Sequence, residues 1–115
     1  MKNIYSLGIL NLSNGLKNNN LTSLDITKQY IETIKIKNRT LNAFINILEE
    51  SAIWDSQKSD KRRRDGKELS PLDGIPIALK DNINIKDVIT TGGIKAYRDT
   101  IAKNDSFIVK LLRDA

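Results

Sequence analysis

Apolar residues recur along most of this chain at steps of three and four, and in three short stretches at steps nearer two. Ile4, Leu7, Ile9, Leu10, Leu12 and Leu16 share one face at helical spacing and predict a helix over about 4–17. The Asn18-Asn19-Asn20 triplet ends it. Thr22 then stands as an N-cap with Asp25 three residues on, an approximate capping box, and the stripe Ile26 or Thr27, Tyr30, Ile31 and Ile34 extends a second helix over about 23–37. Leu41 to Leu48 is apolar and partly alternating, which predicts a strand over about 42–48. A third helix is expected over about 49–64, with Ala52, Ile53 and Trp54 turned inward and Trp54 a buried anchor. Two more strands are expected, over about 75–79 and 88–91. Pro76 cannot donate to a ladder and so marks a strand start or a bulge. Asn104-Asp105 precede a last helix over about 105–114, faced by Phe107, Ile108, Leu111 and Leu112.

Strands alternating with helices predict an α/β architecture of crossovers within a sheet. The last predicted helix leaves its strand and no strand returns, so the expectation is one domain that is incomplete, 1–115 being its N-terminal fragment. Such a fragment exposes strand edges and apolar helix faces, which predicts homo-oligomers through those edges.

Composition narrows the chemistry more than the fold. With no cysteine, disulfides and thiolate metal sites are excluded, and a cytoplasmic location is weakly favoured. With no histidine, Ser-His-Asp chemistry and imidazole metal sites are excluded within the chain, leaving Lys, Asp, Glu and Tyr for acid–base work. No apolar run approaches the length of a membrane span, and Met1 to Tyr5 make a poor signal peptide. The net charge of +5 is concentrated in Lys61-Arg62-Arg63-Arg64. That run is a candidate nucleic-acid patch, but its position before Gly66 favours a solvated helix end whose cations complement the dipole.

The candidate for chemistry is Lys80. In Leu72-Asp73-Gly74-Ile75-Pro76-Ile77-Ala78-Leu79-Lys80-Asp81-Asn82 a turn at Asp73-Gly74 feeds a short apolar segment that delivers one lysine into a polar run. A stem in an apolar wall disfavours the charged ammonium and readies the amine as a base. Asp81 and Asn82 are expected to orient the loop and the lysine by hydrogen bonding.

The same eleven residues resemble the lysine motif of the amidase signature family. That family includes bacterial amidases, fatty-acid amide hydrolases and the A subunit of glutamyl-tRNA amidotransferase. Four further blocks follow the family in order: Leu21-Thr22-Ser23, Leu41-Asn42-Ala43-Phe44-Ile45, Thr90-Thr91-Gly92-Gly93 and Asp105 to Ala115. Gly93 stands where serine is common. The resemblance covers nearly the whole chain and is weakest over 1–16 and 55–68.

The resemblance implies the N-terminal part of the amidase-signature fold, a mixed sheet flanked by helices. It implies hydrolysis of carboxylic amides by a Ser, cis-Ser, Lys triad in which Lys80 is the lysine, with Asp81, Asn82, Gly74 and Pro76 in support. It implies no cofactor and no metal. The eight serines of the chain all lie outside any Gly/Ser-rich signature, so the chain supplies one triad member and is expected to be inactive alone. The segment 92–108 is slightly more similar to stand-alone amidases than to the amidotransferase component, whose tRNA partner would bring nucleic acid in only indirectly. A non-catalytic remnant that self-associates is the reading from another class.

Overall fold

A computed structural model describes residues 4–115. The reading of the first residues as a poor signal peptide therefore lies partly outside the described residues. Contacts divide the chain into two units, residues up to Pro76 and residues Ile77–Ala115.

The first unit is helical. A 3-10 turn over Ile4–Ser6 precedes α1 (Ile9–Lys17), α2 (Ser23–Leu41) and α3 (Glu49–Arg64). Gly8 separates the turn from α1, so the apolar run from Ile4 to Leu16 is carried by two elements. α2 starts where Thr22 Oγ1 accepts a hydrogen bond from the Asp25 N–H at 3.0 Å, satisfying one of the helix's unpaired amides. It ends at Asn42, which takes the left-handed conformation. α3 opens with Glu49 and Glu50 and closes with Lys61 to Arg64, charges placed to suit the dipole at each end.

The core of this unit is Ile4, Leu12, Leu16 and Ile26, with Leu7, Leu21, Tyr30 and Ile75 packed against it. Tyr5 meets Tyr30 edge to face at 6.0 Å and donates its hydroxyl to the Gln29 carbonyl. α3 contributes little apolar surface. Its buried residues are Ser56 and Ser59, small side chains that let neighbouring backbone come close. Trp54, expected as a buried anchor, is instead 60% exposed, with the Lys58 ammonium over its ring at 5.2 Å. The inward face of α3 is lined by small and polar residues, and the indole falls outside it.

The second unit holds a 3-10 turn over Lys95–Tyr97 and α4 (Phe107–Asp114). Its buried residues are Thr91, Ala102 and Val109. Ser106, not Asn104 or Asp105, stands at the N-cap of α4. The Asp105 carboxylate instead accepts from the Lys86 N–H and from Arg113 Nε, at 2.7 and 2.8 Å.

The expected α/β architecture is not what the chain forms. Among the described residues the regular elements are all helical, and the three expected strands are replaced by extended or turning segments with one isolated antiparallel bridge, Ile89 to Ile101. The physical reason differs at each. Over 42–48, the Asn38 side chain takes both backbone groups of Phe44, at 2.8 and 2.9 Å, and so occupies the place of a neighbouring strand. Over 75–79, Pro76 has no N–H to give and no ladder forms. Over 88–91, pairing reaches only as far as bonds between Val88 and Ala102 and between Thr90 and Thr100. Apolar alternation makes a strand only when a partner backbone lies alongside. No described helix is long and apolar enough to cross a membrane.

Candidate active site around Lys80

The motif from Leu72 to Asn82 contains two separately anchored turns, one in each unit. The first is built on Asp73. Its side chain is 2% exposed and accepts from Arg62 Nε at 2.9 Å, Arg62 Nη2 at 2.6 Å and the Leu69 N–H at 3.1 Å. Arg63 donates through Nε and Nη2 to the Asp73 carbonyl at 3.2 and 2.5 Å. Burial alone would push the Asp73 carboxyl up; the Arg62 fork and the Leu69 N–H outweigh it and hold it at about 2. Half of the basic run is therefore committed to this turn, a use that the expected solvated helix end leaves out.

Gly74 follows with φ +90°, and its carbonyl accepts from Ser23 Oγ at 2.7 Å. A Cβ on Gly74 would overlap Ser59 Oγ and stand 2.9 Å from Ser23 Cβ, so backbone angle and space both demand glycine. Ser23 and Leu24 in turn give their N–H groups to Asp60, which thus closes the start of α2 from α3. Pro76 is half-buried and lies outside any helix.

The second turn carries the lysine. The Ile83 N–H donates to the Lys80 carbonyl at 3.0 Å, closing a four-residue turn with Asp81 and Asn82 at its centre. Asp81 Oδ2 accepts from the Thr91 N–H at 3.0 Å and from the Thr91 hydroxyl. The Asp81 carbonyl accepts from the Gly92 N–H at 2.8 Å, and Thr91 Oγ1 accepts from the Gly93 N–H at 2.9 Å. The Thr91 hydroxyl above all, against the opposing effect of burial and with backbone N–H groups adding, holds the Asp81 carboxyl below the usual carboxylate range. Gly92 and Gly93 both have positive φ, which lets successive N–H groups turn back towards Asp81 and Thr91.

Lys80 itself is exposed, as is Asn82. Ile77 and Ala78 are exposed too, and Leu79 is half-buried, so these neighbours form no apolar wall around the lysine stem. Within Ile77–Ala115 the ammonium has no hydrogen-bond or ion-pair partner and keeps its three donors free. The backbone at Lys80 is fixed while its head is uncommitted.

A family model described as Amidase matches residues 25–115. This chain belongs to the amidase family. Its motif order is that of the family, and both anchored turns lie within the match. The chain is 34% identical over its whole length to the A subunit of the glutamyl-tRNA(Gln) amidotransferase of Psychrobacter sp.. It is 37% identical, over 93% of its length, to the corresponding protein of Coxiella burnetii. Among solved structures, the native peptide amidase of Stenotrophomonas maltophilia superposes over 97% of the chain with a TM-score of 0.89 at 30% identity. The chain spans 22% to 23% of the length of these relatives.

Sequence reasoning passed over Thr91, Arg62, Arg63 and Asp60 as site-shaping residues. The pairs Asp60–Ser23, Arg62–Asp73 and Asp81–Thr91 join positions 37, 11 and 10 residues apart. No helical or strand period links such positions. The available signal was Thr91 standing directly before two glycines, where a hydroxyl commonly caps a turn.

Proposed function

We propose that this chain provides the lysine-bearing part of an amide-cleaving active site, with Lys80 as the base. The observation that carries the reading is the free Lys80 ammonium on a backbone fixed by Asp81, inside a stretch that matches the amidase family over residues 25–115. As a neutral amine, Lys80 takes a proton through a first serine from a second, whose oxygen attacks the amide carbonyl. The C–N bond then breaks, the proton passes from the lysine to the leaving amine, and water releases the acid from the acyl-enzyme by the same steps reversed.

Both serines would come from sequence outside these residues, since Ser23 and Ser59 are buried about Gly74 and the remaining serines belong to no Gly/Ser-rich loop. Alone, residues 1–115 would not hydrolyse amides. A lysine acting this way must also be partly dehydrated, which the same missing surface would provide.

A second reading is the corresponding part of a tRNA-dependent amidotransferase, favoured by the curated relatives at 34% and 37% identity. The solved peptide amidase favours a stand-alone enzyme. Genes for partner subunits beside this one would decide for the amidotransferase.

The direct test expresses the protein of the whole reading frame and assays it on a panel of carboxylic amides, with Lys80→Ala as the variant. Loss of activity on substitution is the expected result; retained turnover removes Lys80 from the mechanism. A reading frame without a Gly/Ser-rich segment holding two serines would leave a non-catalytic remnant, and light scattering would then report its self-association.

A further inference from the structure

The structure assigns Thr91 the role of a positioning residue for Lys80, acting through Asp81. This inference rests on Lys80 being the base proposed above. Thr91 is buried, and its hydroxyl is engaged in both directions, donating to Asp81 Oδ2 and accepting from the Gly93 N–H. Its own N–H reaches the same carboxylate oxygen. Asp81 is thereby held at its side chain by Thr91 and at its carbonyl by Gly92.

The peptide that joins Asp81 to Lys80 is planar, so holding Asp81 and the Lys80 carbonyl also places the Lys80 Cα. The Ile83 N–H closes the turn on the Lys80 carbonyl from the other side. The position of the Lys80 Cα is thus set relative to the 91–93 turn, and the torsions that aim its side chain remain to be ordered by whatever covers the ammonium. Proton transfer needs the amine within hydrogen-bond reach of its partner, and an error of about 1 Å costs on the order of a hundredfold in rate. A hydroxyl on a buried threonine, close to Asp81 in space though distant in sequence, is in this way coupled to the reacting nitrogen without touching it.

The roles of the two parts of the Thr91 side chain are separable. Valine keeps the shape and loses the hydroxyl, and serine keeps the hydroxyl and loses a methyl group. In the protein of the whole reading frame, Thr91→Val is expected to lower kcat by about tenfold to a hundredfold with KM within about twofold, and Thr91→Ser to restore most of it. Added to Lys80→Ala, Thr91→Val is expected to cost nothing further, since a positioning residue has no effect once its target is gone.

Amide hydrogen exchange supplies a readout that needs no turnover. In Thr91→Val the Ile83 N–H, which donates to the Lys80 carbonyl and not to Thr91, is expected to exchange about tenfold faster or more while α2 amides keep their rates. Unchanged exchange at Ile83 overturns the coupling whether or not the protein is active. Loss of activity in Lys80→Ala with none in Thr91→Val overturns this inference alone. Full activity in Lys80→Ala overturns the parent reading instead, leaving the exchange result to report on the turn.

Discussion

Replacing Asp73 by asparagine removes the charge from the most enclosed ion pair among the described residues and keeps its shape. Two routes give its cost. The Asp73 carboxyl is lowered from 3.8 to about 2, which corresponds to about 2 kcal/mol in favour of the charged form. Breaking a fully buried pair costs about 3–5 kcal/mol, and the 32% exposure of the Arg62 side chain brings that down to about 2–3 kcal/mol. Asp73→Asn is therefore expected to lose about 2–3 kcal/mol at pH 7, a large share of a stability of about 5–15 kcal/mol.

The pH dependence has a definite sign. Asp73 has a lower value folded than unfolded, so its contribution is complete above about pH 4 and disappears as pH falls from there towards 2. The substituted amide cannot titrate, so the gap between the two proteins should close over that window to less than about 1 kcal/mol. Urea unfolding followed by far-ultraviolet circular dichroism measures it, because α2 and α3 carry most of the helical signal; the exposed Trp54 is a poor fluorescence probe of packing. A gap below about 0.5 kcal/mol at pH 7, or one that persists unchanged to pH 2, refutes the assignment.

Two other substitutions test the neighbouring features. Gly74→Ala is expected to lose about 2–4 kcal/mol in the same urea assay, from the φ of +90° and the overlaps with Ser59 Oγ and Ser23 Cβ, and adding Ser59→Ala should recover only the part due to the Ser59 hydroxyl. Lys80→Ala should leave the unfolding free energy within about 0.5 kcal/mol of the parent, because an exposed side chain without a partner contributes little; a larger loss would mean that the lysine is structural.

Family membership was legible in the sequence, and so were helix ends that a local cap defines. Thr22 and Asp25 are three residues apart and need nothing distant to form the bond that starts α2. The strands were misread for the complementary reason: alternation at 42–48 and 75–79 describes a surface, while a strand needs a second backbone that no local pattern supplies. Asn38 shows how little is needed to redirect such a segment, since one amide side chain satisfies both backbone groups of Phe44. α3 misleads in the opposite sense. Its buried residues are Ser56 and Ser59, and its half-buried Arg62 and Arg63 bind the Asp73 turn, so an apolar stripe was the wrong feature to look for, and Trp54 was turned inward by expectation alone. At the site, Lys80 was legible as a residue type in a motif, whereas its anchoring through Thr91 depends on a bond from Asp81 that crosses 10 positions.

The two acids of the motif can be separated from its lysine on chemical grounds. A useful general acid or base needs to exchange its proton near the working pH. Asp73 and Asp81 do the reverse: donors favour the ionised form of each, Arg62 and the Leu69 N–H at the Asp73 carboxylate and Thr91 at Oδ2 of Asp81. Protonating either would weaken the bonds that hold its own turn, so a proton cycled there would loosen the backbone it supports. Lys80 stands under no such constraint. Its carbonyl completes the turn, and its side chain is left out of it. Charge fixed in the frame and an uncommitted ammonium at the head are different uses of adjacent residues, and under the proposed mechanism it is the lysine, and not Asp81 beside it, that carries the proton.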